Sequence, residues 1–255
     1  HGVYISGSDP SILDCIIEDN SGTYGGGVYA VNFDGVLDGN TIRSNSATYG
    51  GGMYYDQGSA EVTANWFEGN SGSSQGGGLW LNATALVASN VFLDSSSTAI
   101  YLETTSTTDR DGSYVMNNTI VDATSYGVYV DYYYYSSSTR YYPTTDFVNN
   151  IVYSSGSYDV YVGGGYSSAF SSMTWENNNV YGGSGYSSSL SRTGSNGNIS
   201  QDPDFADASG DDFSLDWGSL CIDAGHDMST YGLSTDHDGS TREQGGAASA
   251  HQAQP

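Results

Sequence analysis

Lysine is absent from this chain of 255 residues, so Arg43, Arg110, Arg140, Arg192 and Arg242 are its only strong bases. That inventory limits the chemistry available. β-Elimination of a uronic-acid polysaccharide calls for a Lys or Arg to take the proton beside the carboxylate, usually with Ca2+ held by acidic side chains. Arg43, Arg110 and Arg140 are the candidates, but Ile42-Arg43-Ser44 and Asp109-Arg110-Asp111 supply no recognisable carboxylate cluster. Glycoside hydrolysis calls for paired carboxyl groups flanking the scissile bond. Asp122, Asp131, Asp146 and Asp159 are available for that role, without a shared position that the sequence can verify. No catalytic residue is assigned.

Metal binding has one candidate. Asp236-His237-Asp238-Gly239 opens like a calcium loop, with Asp236 and Asp238 as ligands, but the later bidentate Glu is missing at the required distance. The bland alternative is a tight turn whose carboxylates cap backbone N–H groups and pair with Arg242. No cofactor is required, and Ca2+ is the one ion considered. His226 and His237 are too isolated from Cys or other His for zinc.

Ligand contact has a second candidate in Tyr132, Tyr133, Tyr134 and Tyr135, followed by Arg140, Tyr141 and Tyr142. Four consecutive tyrosines in a strand put alternate rings on opposite faces, so at least two must lie outside a single core. Exposed Tyr near Arg suits stacking on sugars or a protein contact. The alternative is an excursion lying flat on the body of the protein.

What must position these residues is a repeat. Asn20-Ser-Gly-Thr-Tyr-Gly25-Gly-Gly-Val28-Tyr29 returns as Asn45-Ser-Ala-Thr-Tyr-Gly50-Gly-Gly-Met53-Tyr54 and as Asn70-Ser-Gly-Ser-Ser-Gln-Gly76-Gly-Gly-Leu79-Trp80. Asn40-Thr-Ile42, Asn65-Trp-Phe67 and Asn90-Val-Phe92 interleave with it, 25 residues apart. Fixed self-similarity in this range marks a solenoid or propeller. The runs between the turns are short, β-branched, aromatic or aliphatic, and lack helical spacing. A propeller blade needs about 40–45 residues and a leucine-rich repeat needs a Leu skeleton, so one repeat reads as one coil of a parallel β-helix. Coils stack at roughly 4.8 Å.

The frame extends through Val3-Tyr-Ile5, Ile100-Tyr-Leu102, Val128-Tyr-Val130 and Val160-Tyr-Val162, and through Asn118-Thr-Ile120, Asn150-Ile-Val152 and Asn179-Val180. The expectation is an all-β chain forming a single parallel β-helix of about 8–9 coils over residues 1–200. Insertions are expected at about 103–146 and 163–198, a closing segment at 201–242 and a small-residue tail at 243–255. Asn40, Asn65, Asn90, Asn118 and Asn150 are read as corner residues that tolerate left-handed backbone and bond to the Asn of the next coil. Gly25, Gly50 and Gly76 are read as corners where a Cβ would clash.

Charge excludes partners. With 29 acidic residues the net charge is −24, which argues against nucleic acid and anionic membranes. No apolar run is long enough to span a bilayer, so no transmembrane segment is expected. Cys15 and Cys221 fall about eight coils apart in this frame, some 35–40 Å, too far for a bridge, and sit in apolar phrases that suggest buried free thiols. The chain opens inside a strand phrase without a cap, as a processed, exported product would.

The closing segment carries a resemblance. Gln201-Asp-Pro-Asp-Phe205, Gly218-Ser-Leu-Cys-Ile-Asp-Ala-Gly225 and Thr235-Asp-His-Asp-Gly-Ser-Thr-Arg242 resemble the end of secreted right-handed β-helix proteins of the bacterial pectate-lyase-like superfold, including choice-of-anchor surface proteins. The Asn…Gly-Gly-Gly coils are similar to those of chlamydial polymorphic outer-membrane proteins. The resemblance implies a right-handed helix and export to the cell surface or exterior; one solenoid hosts enzymes, adhesins and spacers alike. The expected function is a non-catalytic extracellular structural protein stacking head to tail with itself through an open first coil. The alternatives are an adhesin or carbohydrate-binding stalk, and a polysaccharide lyase or hydrolase.

Overall fold

The computed structural model describes residues 1–103, 112–136, 139–163, 170–187, 191–228 and 233, with backbone alone for 133–136, 139 and 140. Asp236, Asp238, Arg110, Arg242 and the 243–255 tail therefore lie outside the described residues.

The described chain winds as a right-handed parallel β-solenoid. Three sheets of seven strands each run its length, and a shorter fourth sheet joins the first coils. Sheet 1 begins with Val3–Ser6 and Val28–Val31 and ends with Tyr158–Val162. Sheet 2 runs from Ser11–Leu13 to Thr174–Glu176, and sheet 3 from Ile16–Glu18 to Asn179–Tyr181. The fourth stacks Ser21–Tyr24, Ser46–Tyr49 and Ser71–Gln75. Among the described residues seven rungs replace the eight or nine expected. After Asn179–Tyr181 the stack continues among them by single bridges, Val160 to Tyr186 and Asn179 to Ile199. The chain then leaves the solenoid for an antiparallel hairpin, Phe205–Asp207 with Asp212–Leu215. The insertions expected over 103–146 and 163–198 are interleaved with coil strands such as Thr119–Val121, Tyr126–Val130 and Thr174–Glu176.

Strands are in register, so equivalent side chains stack. Phe67 and Phe92 lie 4.6 Å apart at 10°, and Phe147 and Trp175 4.2 Å apart at 8°, all inside the core. Between sheets 2 and 3 the turn is two residues long. The first takes the left-handed conformation, as at Gly39 (φ 65), Ala64 (φ 51), Ser89 (φ 57), Asn117 (φ 55) and Asn149 (φ 58). The second is the stacked asparagine. Asn40, Asn65, Asn90, Asn118 and Asn150 are therefore not the left-handed residues themselves, which corrects that part of the expectation. Their side chains turn inward, where the backbone needs partners. The column continues through Asn178, not Asn179, to Asn198.

Each inward amide closes several bonds. The Asn65 Oδ1 accepts from the Asn40 backbone N–H (3.0 Å) and from the Asn40 Nδ2 (2.9 Å). The Asn65 Nδ2 donates to the Leu37 carbonyl (2.8 Å) and to the Asn90 Oδ1 (3.0 Å). Gly25, Gly50 and Gly76 hold φ of 59°, 65° and 64°. A Cβ on Gly25 would meet the Val28 carbonyl oxygen at 2.1 Å.

Asp159, set aside as a carboxylate for catalysis, is fully buried and serves the fold. It accepts from the backbone N–H groups of Ser155 (2.8 Å), Gly183 (3.2 Å) and Gly185 (2.9 Å). The far end of the core is closed by aromatic side chains. Trp175 donates to the Tyr186 hydroxyl (3.0 Å), Phe170 packs edge-on against Trp175 (5.1 Å), and the Arg192 guanidinium lies 4.6 Å from the Phe170 ring centre.

The segment after residue 201 turns back along the outside. Phe205 and Phe213 pack on Val91, Leu93, Val121, Trp66 and Tyr153, the outer face of sheet 3. Asn149 exchanges bonds of 2.8 and 2.7 Å with the His226 backbone. Both cysteines are free. Cys221 is half-buried, and burial pushes its thiol up. Cys15 is exposed, contrary to expectation, because it stands in the first rung at the turn position that Asn occupies elsewhere.

Replacing Asn65 by Ala leaves the Asn40 N–H without its partner in a dry core and removes one of the bonds to the Leu37 carbonyl, at about 1–3 kcal/mol for the orphaned group. Urea denaturation of Asn65→Ala should show a loss of about 1–3 kcal/mol. Asn20→Ala, in the first rung, should lose under about 1 kcal/mol.

Candidate functional site

Alternation along each sheet-1 strand sends one residue in and the next out. The outward residues align into an unbroken aromatic row: Tyr4, Tyr29, Tyr54, Trp80, Tyr101, Tyr129 and Tyr161. Ring centres of Tyr54 and Trp80 lie 4.1 Å apart at 8°, those of Tyr101 and Tyr129 4.8 Å at 15°. Tyr4 and Tyr29 are 5.3 Å apart, Tyr129 and Tyr161 4.9 Å. Tyr24 and Tyr49 flank one end of the row, Tyr126 and Tyr158 the other.

Exposure divides the row in three. Tyr4 is 59% exposed, whereas Trp80 and Tyr101 in the middle are each 4% exposed. The result is two accessible aromatic patches joined by a covered centre. Stacking uses up most ring faces, so the patches present ring edges and phenol tips, with open faces chiefly at the ends and flanks.

Two residues beyond each aromatic along the strand, a second outward row carries Asp56, Asn82, Glu103 and Asp131. The Asn82 amide donates to Asp56 (2.8 Å), Gln75 donates to the Tyr101 hydroxyl (2.8 Å), and the Tyr101 hydroxyl donates to Asp131. Burial, then the neighbouring Asp131 and Asp56, push the Glu103 carboxyl up to about 7, against the opposing hydrogen bond from Trp80. Burial also raises Asp56, opposed by Asn82. Burial and then the Asp131 carboxylate raise the Tyr101 phenol far above its ordinary value.

The sequence contains this acid and amide row in plain view, at a fixed offset in Tyr54-Tyr-Asp56, Trp80-Leu-Asn82, Tyr101-Leu-Glu103 and Tyr129-Val-Asp131. Reading the carboxylates by residue type and not by their offset from the aromatics misses Asp56 and Glu103.

The sequence-derived candidates are scattered. Asp131 lies in this row, Asp146 begins a sheet-2 strand, Asp122 stands in a left-handed turn and Asp159 is internal. Arg43 is paired with Glu18, its Nε 2.7 Å from the carboxylate, on the outside of sheet 3. In the aromatic excursion, Tyr133–Ser136 and Thr139–Tyr141 form an antiparallel hairpin. The side chains of Tyr133, Tyr134, Tyr135 and Arg140 are outside the described ones. Tyr132 packs against the core and Tyr142 is part of it, 3% exposed, which removes Tyr142 from a contact surface. Among the described residues no group of three or more His, Cys, Asp or Glu is arranged to hold a metal ion. No helix among them is long and apolar enough to cross a membrane.

The register, the inward asparagines and the three long parallel sheets define a right-handed β-helix. A scan of protein-family models matches residues 1–139 to the right handed beta helix region. That match covers more than half of the chain, and the chain belongs to this family. Neither a search of curated proteins nor one of solved structures returned a match. At a coarse level the family fits a structural or surface protein.

Because Glu103 holds its proton more tightly folded than unfolded, the native state binds more protons between its ordinary value of 4.5 and about 7. Stability should therefore fall as pH rises through that window, by about 3 kcal/mol at most from this group. Glu103→Gln should flatten that slope in denaturation curves and be the more stable protein above pH 7.

Proposed function

We propose that this protein is a non-catalytic extracellular or cell-surface β-helix that holds a neutral glycan chain along the outer face of sheet 1. One observation carries the reading: aromatic side chains at all seven rungs, flanked at four of them by Asp56, Asn82, Glu103 and Asp131. Tyr presents an apolar body and a hydroxyl tip, and Asp, Glu and Asn accept or donate to sugar hydroxyls. A polymer running parallel to the solenoid meets aromatic side chains at successive rungs within each of the two accessible patches. The net charge of −24 repels polyuronates and sulfated chains, which leaves neutral polysaccharides as the natural class.

Head-to-tail stacking is less well supported. The far end of the core is closed by Phe170, Trp175, Tyr186 and Arg192. A second copy docking there would have to displace that closure.

A glycoside hydrolase is the second reading, on a specific observation. Glu103 and Asp131 occupy adjacent rungs, about 4.8 Å apart at the backbone, near the roughly 5–5.5 Å carboxyl separation of retaining enzymes. Glu103 keeps its proton near neutrality, as a general acid must. The covered neighbours Trp80 and Tyr101 give a substrate no open approach at that point, so binding ranks first.

A glycan array should return neutral chains and no polyuronates. Tyr29→Ala and Tyr161→Ala, one in each patch, should each weaken binding of the selected glycan up to about tenfold, the top of the about 0.5–1.5 kcal/mol scale of an aromatic contact. Unchanged affinity in both variants would remove the face from the account. Release of reducing sugar that stops in Glu103→Gln would favour the hydrolase.

A further inference from the structure

Beside the main aromatic row runs a second and much shorter one. In the fourth sheet Tyr24 and Tyr49 are partners in register, and the next rung carries Gln75. Their ring centres lie 5.3 Å apart at an interplanar angle of 14°. Tyr24 is 42% exposed and Tyr49 half-buried. In-register parallel strands set each atom beside its own counterpart one rung away. The near-parallel rings therefore present like edges to one another, and the exposure of Tyr24 leaves the pair open to an oxidant.

We infer that Tyr24 and Tyr49 form a site of oxidative tyrosine cross-linking, which joins the first and second rungs covalently as dityrosine. A one-electron oxidant, supplied by a peroxidase using hydrogen peroxide, takes one electron and the phenolic proton from each ring. The two phenoxyl radicals carry spin density at the ortho carbons, and a Cε–Cε bond forms between them. Each ortho hydrogen then moves to its ring oxygen and restores the phenol. Two electrons and two protons leave in total, and they reduce one hydrogen peroxide to two waters.

Other tyrosine pairs are less suited: Tyr101 and Tyr129 stack at 4.8 Å and 15°, but Tyr101 is only 4% exposed and its hydroxyl is bonded to Asp131, which keeps an oxidant from it. Tyr24 and Tyr54 are 5.0 Å apart but edge to face at 68°, which aims an edge at a ring face and not at another ortho carbon. Tyr4 and Tyr29 are tilted by 44°, and Tyr129 and Tyr161 by 36°. The Tyr24–Tyr49 link closes a loop of 25 residues. It gives the first coils a covalent staple in a chain whose two cysteines are unpaired. This inference stands apart from the glycan reading, since it needs the ring pair alone.

The test treats dilute whole protein with peroxidase and hydrogen peroxide. Intact mass, dityrosine fluorescence and peptide mapping are the readouts. The expected result is a monomer lighter by two hydrogens, with the cross-link mapped to Tyr24 and Tyr49, and a higher thermal midpoint than the untreated chain. Tyr49→Phe keeps the stack, as circular dichroism would check, and should lose the cross-link. A cross-link mapped to another pair, linkage only between molecules, equal yield in Tyr49→Phe, or none while free tyrosine is consumed would each overturn the inference. Mapping in the wild type decides the matter even if the variant misfolds.

Discussion

Every coil of this protein must satisfy its backbone in the coil beside it, and that constraint fixes the rest. A solenoid has no second layer to hide in. The N–H and C=O groups of each rung find partners only one rung away, so strands stay in register and turns superimpose. Where the backbone leaves the sheet, at the corner between sheets 2 and 3, asparagine amides take over the same task. An unpaired buried polar group costs about 1–3 kcal/mol, and the corner repeats at every rung, so a single unsuitable residue is felt at once. The chain meets this with a fixed pair, a residue able to take left-handed backbone followed by an inward Asn.

Register has a chemical consequence on the outside. Stacking like on like brings aromatics together, which is favourable, and brings carboxylates together, which is not. Glu103 shows the second effect, held near neutrality by burial and by Asp131 and Asp56. Asn82, standing between Asp56 and Glu103, breaks what would be four carboxylates in succession and hydrogen-bonds to Asp56. The surface that results is hydroxyl-tipped, partly aromatic and strongly acidic. These properties suit a neutral polymer more than a charged one, and two accessible patches spaced along seven rungs suit an extended ligand more than a compact one.

The architecture was legible in the sequence because it is periodic: 25-residue phrases, short apolar runs and Gly triplets admit few other folds. The asparagine column was legible in position but not in detail. Left-handed backbone falls one residue earlier, on Gly39, Ala64 or Ser89, and Asn178 serves where the spacing pointed to Asn179. The change at residue 201 was legible as a closing segment, but its path was not: Phe205 and Phe213 bury themselves on the outside of sheet 3, a tertiary choice that local pattern does not encode. The candidate face was half legible: each Tyr was visible as a strand residue, but the eye goes to the four consecutive tyrosines at 132–135. A row spread over six turns shows itself only when the repeats are laid on one another.

The central claim is that function resides on the outer face of sheet 1, and hydroxyl-radical footprinting with and without the glycan chosen by the array tests it most directly. Tyr4, Tyr29, Tyr54, Tyr129 and Tyr161 should lose reactivity in the complex, while Tyr114 on sheet 2 and Trp217 in the closing segment, 38% and 77% exposed, should keep theirs. Protection centred on Tyr114 or Trp217, with the sheet-1 row as reactive as in the free protein, would contradict the account.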